Sequence, residues 1–246
     1  MKRKAAKVFV ISSLFLLGFA IDAFSQLATV GPLDPVSGFP QWYGDSPIRP
    51  GGAATRLVLC LTEPTCEHDR IIPGDRFSQR IGFGQNAFYW GATAEIATRI
   101  NDRFAKLEMG VRANWTGVPP NRVRRVFNFI RIDLRQAPDA LYTVVHPFGR
   151  ETIDLRPPGA KGVLVRSVGG RNFRASLNGP VTRFLRGTNP APGFIGDWSV
   201  LQRITGSPKN TNFFRVIAPP GIDLGGTTRP NVVQTTQFRI QGDLLP

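Results

Sequence analysis

Turn-forming residues recur along this chain, and the runs between them carry strand patterns rather than that of a long helix. Glycine occurs 26 times and proline 21 times in 246 residues, both evenly scattered, and the runs they separate are short and rich in β-branched and aromatic residues. Proline lacks the amide proton that a helix interior or a central strand needs, and glycine weakens both through its backbone freedom. Many short strands joined by turns are what such punctuation allows.

The periodicity between the turns agrees. In residues 104–113, Ala105, Leu107, Met109, Val111 and Ala113 fall on one face while Lys106, Glu108 and Arg112 fall on the other. A period of two is that of a half-buried strand. Residues 56–61, 88–98, 126–134, 141–146, 151–155, 212–217 and 236–241 are further strand candidates, and no long amphipathic helix is legible. The expected fold is all-β: an antiparallel β-sandwich, immunoglobulin-like or jelly-roll-like, with long irregular loops. Two segments, 26–52 and 167–207, show little periodicity and are expected to be irregular, although both carry large apolar side chains. Tyr142, entering a strand after Pro138-Asp139, is expected to bond back to the preceding backbone as a structural tyrosine.

The first 25 residues are set apart from this pattern. Lys2, Arg3, Lys4 and Lys7 precede an apolar run of about 14 residues that ends near Ala23-Phe24-Ser25. That layout is a secretory signal peptide, too short to span a bilayer, where roughly 20 residues are needed. Cleavage between Ser25 and Gln26 is expected, leaving one β-sandwich domain over 26–246 with no transmembrane anchor. The expected location is the exterior of a bacterium's cytoplasm: secreted, periplasmic or at the cell surface.

An exported chain folds in an oxidising compartment, which decides how its two cysteines are read. Cys60 and Cys66, six apart around Pro64, are expected to form a disulfide. A metal site with His68 and Glu63, Glu67 or Asp69 is the rival, and it has too few soft ligands. No cofactor fingerprint and no metal site is expected.

Charge survives removal of the leader. The 31 basic and 17 acidic residues fall to 27 and 16, a net +11, and only Lys106, Lys161 and Lys209 are lysines among those bases. Arginine presents a planar fork suited to carboxylate, phosphate and sulfate. The arginines are spread along the chain apart from Arg122-Val123-Arg124-Arg125, and no nucleic-acid-binding motif is readable. The expected partner is therefore an anionic polysaccharide or another envelope component, drawn by an attraction that salt weakens.

Catalytic patterns are thin. Gly44-Asp45-Ser46 opens like the nucleophile block of one esterase class, but the remaining blocks of that pattern are missing. Glu95, Asp102, Glu108, Asp133 and Glu151 could supply a glycosidase pair; as many acids occur in any β protein of this size. His146, after a predicted strand, has no nucleophile or orienting acid implied by spacing. Aromatic residues lead further. A strand over 126–134 places Phe127 and Phe129 with Arg131 and Asp133, opposite Ile130, Ile132 and Leu134. Either both faces are covered or the two rings form an exposed patch that binds something. Trp42, Tyr43, Phe127, Phe129, Arg131 and His146 are the candidate ligand-binding residues.

The motifs also fall in a recognisable order. Gly31-Pro32-Leu33-Asp34-Pro35 and Gly38-Phe39-Pro40-Gln41-Trp42-Tyr43 open it, followed by the cysteine pair, Phe88-Tyr89-Trp90 and Tyr142-Thr143-Val144-Val145-His146-Pro147-Phe148-Gly149. Leu177-Asn178-Gly179, Phe194-Ile195-Gly196-Asp197, Ile204-Thr205-Gly206-Ser207-Pro208 and Asn212-Phe213-Phe214-Arg215 complete it. The series resembles the N-terminal module of a family of uncharacterised secreted bacterial proteins, where it often precedes immunoglobulin-like or other surface repeats. The resemblance implies an exported β domain and brings no catalytic residues with it. A non-enzymatic module that binds polymer is the leading expectation; a secreted hydrolase of glycans or esters, and a self-assembling structural envelope protein, are the alternatives.

Overall fold

The computed structural model describes residues 27–47, 54–98 and 101–246. The expected leader and its expected cut between Ser25 and Gln26 lie outside them. In chain order the strands are β1 (Leu27–Val30), β2 (Tyr43–Asp45), β3 (Arg56–Val58), β4 (Asn86–Ile96), β5 (Ala105–Thr116), β6 (Val123–Leu134), β7 (Leu141–His146) and β8 (Gly149–Asp154). They continue with β9 (Val163–Gly170), β10 (Arg186–Gly187), β11 (Asp197–Gln202), β12 (Ile204–Thr205), β13 (Phe214–Ile217), β14 (Val232–Thr235), β15 (Phe238–Gln241) and β16 (Asp243–Leu244). One short helix, α1 (Arg76–Ile81), and a 3-10 turn over Phe173–Asn178 are the helical elements among the described residues.

Alternation along β5 organises the main sheet. Ala105, Leu107, Met109, Val111, Ala113 and Trp115 are buried, and the residues between them, Gly110 apart, are half-exposed. β4 and β6 flank β5 over nearly its whole length, and the six-stranded sheet runs β11-β15-β4-β5-β6-β9. A second, four-stranded sheet runs β14-β13-β7-β8, and its Tyr142, Val144, Phe214 and Val216 join one hydrophobic core with Trp90, Leu107, Ile130 and Ile132 of the first. Two antiparallel sheets sharing a core is the layered arrangement expected of strands that are apolar on one face. β1, β2, β3 and β16 form a small sheet at the margin, and β10 pairs with β12.

Specific polar bonds close this core. Trp90 donates its indole N–H to the Leu185 carbonyl at 3.2 Å. Asn128, inward-facing on β6, exchanges bonds of 2.8 and 2.9 Å with the backbone of Val181. Buried polar groups need such partners, so each bond also pins the loop that carries it. Tyr142 donates to the Pro138 carbonyl at 2.9 Å, the backward bond its position implied. α1 is set by its ends: the Asp75 carboxylate accepts from the amides of Phe77 and Ser78, and Gly82 leaves the helix in the left-handed region.

The expectation that 167–207 is irregular meets a more ordered segment. It holds the end of β9, the 3-10 turn and β10 to β12. β9 is a sheet edge whose residues are exposed or half-exposed throughout, so burial imposed no alternation on it. Segment 26–52 likewise contains β1 and β2, and Phe39 and Tyr43 within it are fully buried.

Candidate functional site

A bulge in β4 creates the most distinctive surface of the molecule. Phe88 pairs with Arg112 but Trp90 pairs with the next residue inward, Val111, so one extra residue sits in β4 between them. Simple alternation would put Phe88 and Trp90 on one face with Tyr89 on the other. Instead Tyr89 and Trp90 are both fully buried, and Phe88 stands on the outer face.

The ladder then brings a set of side chains together on that outer face. Gly110 of β5 lies beside Gly91 of β4 and Phe129 of β6; Arg112 lies beside Phe88 and Phe127; Glu108 lies beside Thr93 and Arg131. A Cβ on Gly110 would stand 3.1 Å from both the Phe88 and the Phe129 rings, so the two rings close tightly over this position and would have to give way to any larger residue. Between them and Trp198 of β11 is an open depression of about 300 Å³, with Arg112, Arg239 and Glu108 also on its walls.

The disulfide fixes one wall. Cys60 and Cys66 are joined, with Cα atoms 5.3 Å apart, and the Cys60 amide donates to the Phe88 carbonyl. Bonding the two sulfurs leaves neither thiolate for a metal. The loop they close reaches across the sheet margin: the Trp198 amide donates to the Thr65 carbonyl at 2.9 Å, and Gln241 of β15 donates to the Glu67 carbonyl at 3.3 Å.

Charges on this face are mostly matched. Glu108 pairs with Lys106 at 2.8 Å and with Arg131 at 3.8 Å, and Arg131 also reaches Asp133 at 4.0 Å. Arg239 donates to the carbonyls of Trp198 and Ser199. Arg112 differs. Its guanidinium lies 5.0 Å from the Phe129 ring centroid, its Nε is buried without a partner, and among the described residues no carboxylate pairs with it. Burial draws its pKa below the ordinary arginine value while Glu108 and Asp69 oppose the shift; an arginine so placed keeps its charge. The result is a planar cation on an aromatic surface with open bonding capacity.

Of the six candidate residues, Phe127, Phe129 and Arg131 share this face. Trp42 belongs elsewhere, its ring against Gly31 and under the Arg56 guanidinium at 4.5 Å. Tyr43 is fully buried; its hydroxyl donates to the Phe173 carbonyl at 2.9 Å, accepts from Ser176, and is pushed far up in pKa by burial. His146 is 2 % exposed. Its Nδ1 accepts the Phe148 amide at 3.3 Å, its Nε2 has no partner, and burial lowers its pKa to about 4. Both therefore serve the core, and an external ligand reaches neither. Asp45 of the Gly-Asp-Ser triplet is likewise enclosed, accepting from the amides of Thr55 and Phe184.

Phe88, Arg112, Trp198 and Arg239 are not among the six candidates, although Trp198 is, from the sequence, one of the aromatics of a type that stacks on sugar rings. Arg112 was legible as outward-facing, but Phe88 was hidden by the bulge and Trp198 by the lack of periodicity around it. What fold and face together define is a layered antiparallel β protein with an aromatic, arginine-bearing depression on an open sheet. No family model, no curated protein and no solved structure matches this chain.

Proposed function

We propose that the protein is an exported, non-enzymatic module that binds a weakly acidic polymer, a glycan of the cell envelope or extracellular matrix, across the outer face of its six-stranded sheet. The observation that carries the reading is Arg112 lying on Phe129 with no acid bonded to it, beside the depression between Phe88, Phe129 and Trp198. Aromatic rings offer an apolar surface to the faces of sugar rings, and the guanidinium fork suits one carboxylate. The acids Glu67, Glu95 and Glu108 around the same depression disfavour a dense polyanion. A nucleic acid duplex, with a charge about every 1.7 Å along its axis, would meet them repeatedly. The secretory leader and the family resemblance support export.

Affinity electrophoresis in hyaluronate, whose carboxylates sit on alternate sugars, with neutral dextran as control, tests this. The protein is expected to be retarded by hyaluronate and less so as salt is raised. Arg112→Ala and Phe129→Ala should each weaken retardation by about tenfold, the scale of one charged hydrogen bond or one stacked ring. Passage through both gels at every salt concentration would end the reading.

A further inference from the structure

The start of β6 carries Arg122-Val123-Arg124-Arg125, and the fold separates these bases. Arg125 turns outward and donates to Thr116 at 3.0 Å. Arg122 and Arg124 turn inward, past the end of the apolar core, where Phe77 of α1 and Trp115 of β5 meet edge to face at 5.3 Å. Arg122 lies over both rings, 4.6 Å from Trp115 and 4.8 Å from Phe77, while Arg124 lies 5.0 Å from Phe77. Stacking of this kind holds a guanidinium plane in place before any ligand arrives.

Their pairing is unequal. Arg122 bonds the Asp75 carboxylate that caps α1. Arg124 pairs with no carboxylate among the described residues, and the Nε atoms of both arginines are buried without partners. Gly38, in the left-handed region at φ 70°, lets Arg124 lie close: a Cβ there would be 3.0 Å from the Arg124 Nε. Exposed Arg171, just beyond β9, completes a depression of about 460 Å³ that Asn121 and Phe173 also line.

We infer that this depression is a binding site for a phosphate monoester, such as that of a phosphorylated sugar or a lipid headgroup. Three guanidinium groups against one carboxylate leave a charge of +2, which a dianion neutralises and a carboxylate or sulfate ester does not. The forked Nη atoms match phosphate oxygens, and Asn121 adds an amide donor. A dianion here offsets the cost of collecting cations whose Nε–H groups find no acceptor in the fold. The inference is independent of glycan binding at the outer face, which uses other residues.

Calorimetric titration of the protein with glucose 6-phosphate, glucose 6-sulfate and glucuronate separates the cases. Glucose 6-phosphate is expected to bind most tightly, about tenfold more weakly near pH 5 than near pH 7.5, because the second phosphate ionisation falls at about 6. The protein groups around it, Arg122, Arg124, Arg171 and the bonded Asp75, form a fixed frame for that titration. Arg171→Ala, a surface change that leaves the stacked rings alone, should cost about tenfold, and Arg124→Lys, which keeps the charge but loses the fork, a similar factor. Lys161→Ala, near the opposite end of β9, should change nothing. Sedimentation with phosphatidate vesicles, against phosphatidylcholine, then tells whether a membrane-borne phosphate is also reached; binding to the soluble sugar alone assigns the site to phosphosugars. Equal affinity for the sulfate, no loss in Arg171→Ala, or no binding of glucose 6-phosphate or phosphatidate would overturn the proposal.

Discussion

His146 shows how much a single enclosed side chain can tell the solvent. Its ring is neutral in the folded protein down to about pH 4, whereas the unfolded chain takes up the proton near the ordinary value of 6.5. Above about 6.5 both states are neutral and the residue does not affect the pH dependence of stability. Below that, the unfolded state binds the proton first, so stability falls as the pH drops from 6.5 towards 4 and this contribution then levels off. Near pH 5 the loss is roughly 2 kcal/mol. Urea unfolding near pH 7 and pH 5 measures it, and His146→Gln should remove most of the difference. An unchanged difference in that variant would assign the effect to other groups.

At the scale of elements, the disulfide loop connects the stability of the fold to the shape of the outer depression. Replacing Cys60 and Cys66 together by serine is expected to cost about 2 kcal/mol, the lower range for a short closed loop. The same change frees Thr65 and Glu67 from a fixed path, so hydrogen exchange at the Trp198 amide, bonded to Thr65 at 2.9 Å, should accelerate. Slow exchange in the double variant would mean that the loop holds its place without the bond. Elements covered on one face were the ones legible from sequence. The two faces of β5, and the opposition of Phe127, Phe129 and Arg131 to Ile130 and Ile132 on β6, follow from alternation alone. β9, exposed or half-exposed along its length, and β10 to β12, which are short or mostly exposed, left no such trace. The candidate site was half legible for the same reason: β6 supplied its residues in regular order, while Phe88 depended on an irregularity and Trp198 on a strand too exposed to alternate.

On the scale of the whole molecule, the two large sheets end on strands linked by an ion pair. β9 closes one sheet and β8 closes the other, and Arg166 of β9 reaches Glu151 of β8 at 3.1 Å. A long edge rich in Val163, Leu164, Val165 and Val168 is a template for further strands, and charge on such an edge discourages them. Arg166→Val should therefore make the protein associate with rising concentration, read as an increase in mass by light scattering. A monodisperse variant over the same range would show that the edge is protected by other means.

The bulge in β4 gives the molecule a parity rule. Phe88 and Trp90 are two residues apart, an interval that would leave them facing the same way in a regular strand, yet one ring faces the solvent and the other fills the core. The inserted residue is thus shared property of interior and surface. A β4 straightened at its present length could keep the buried tryptophan or the outward phenylalanine but not both, so the face and the core of this protein cannot change independently at that strand.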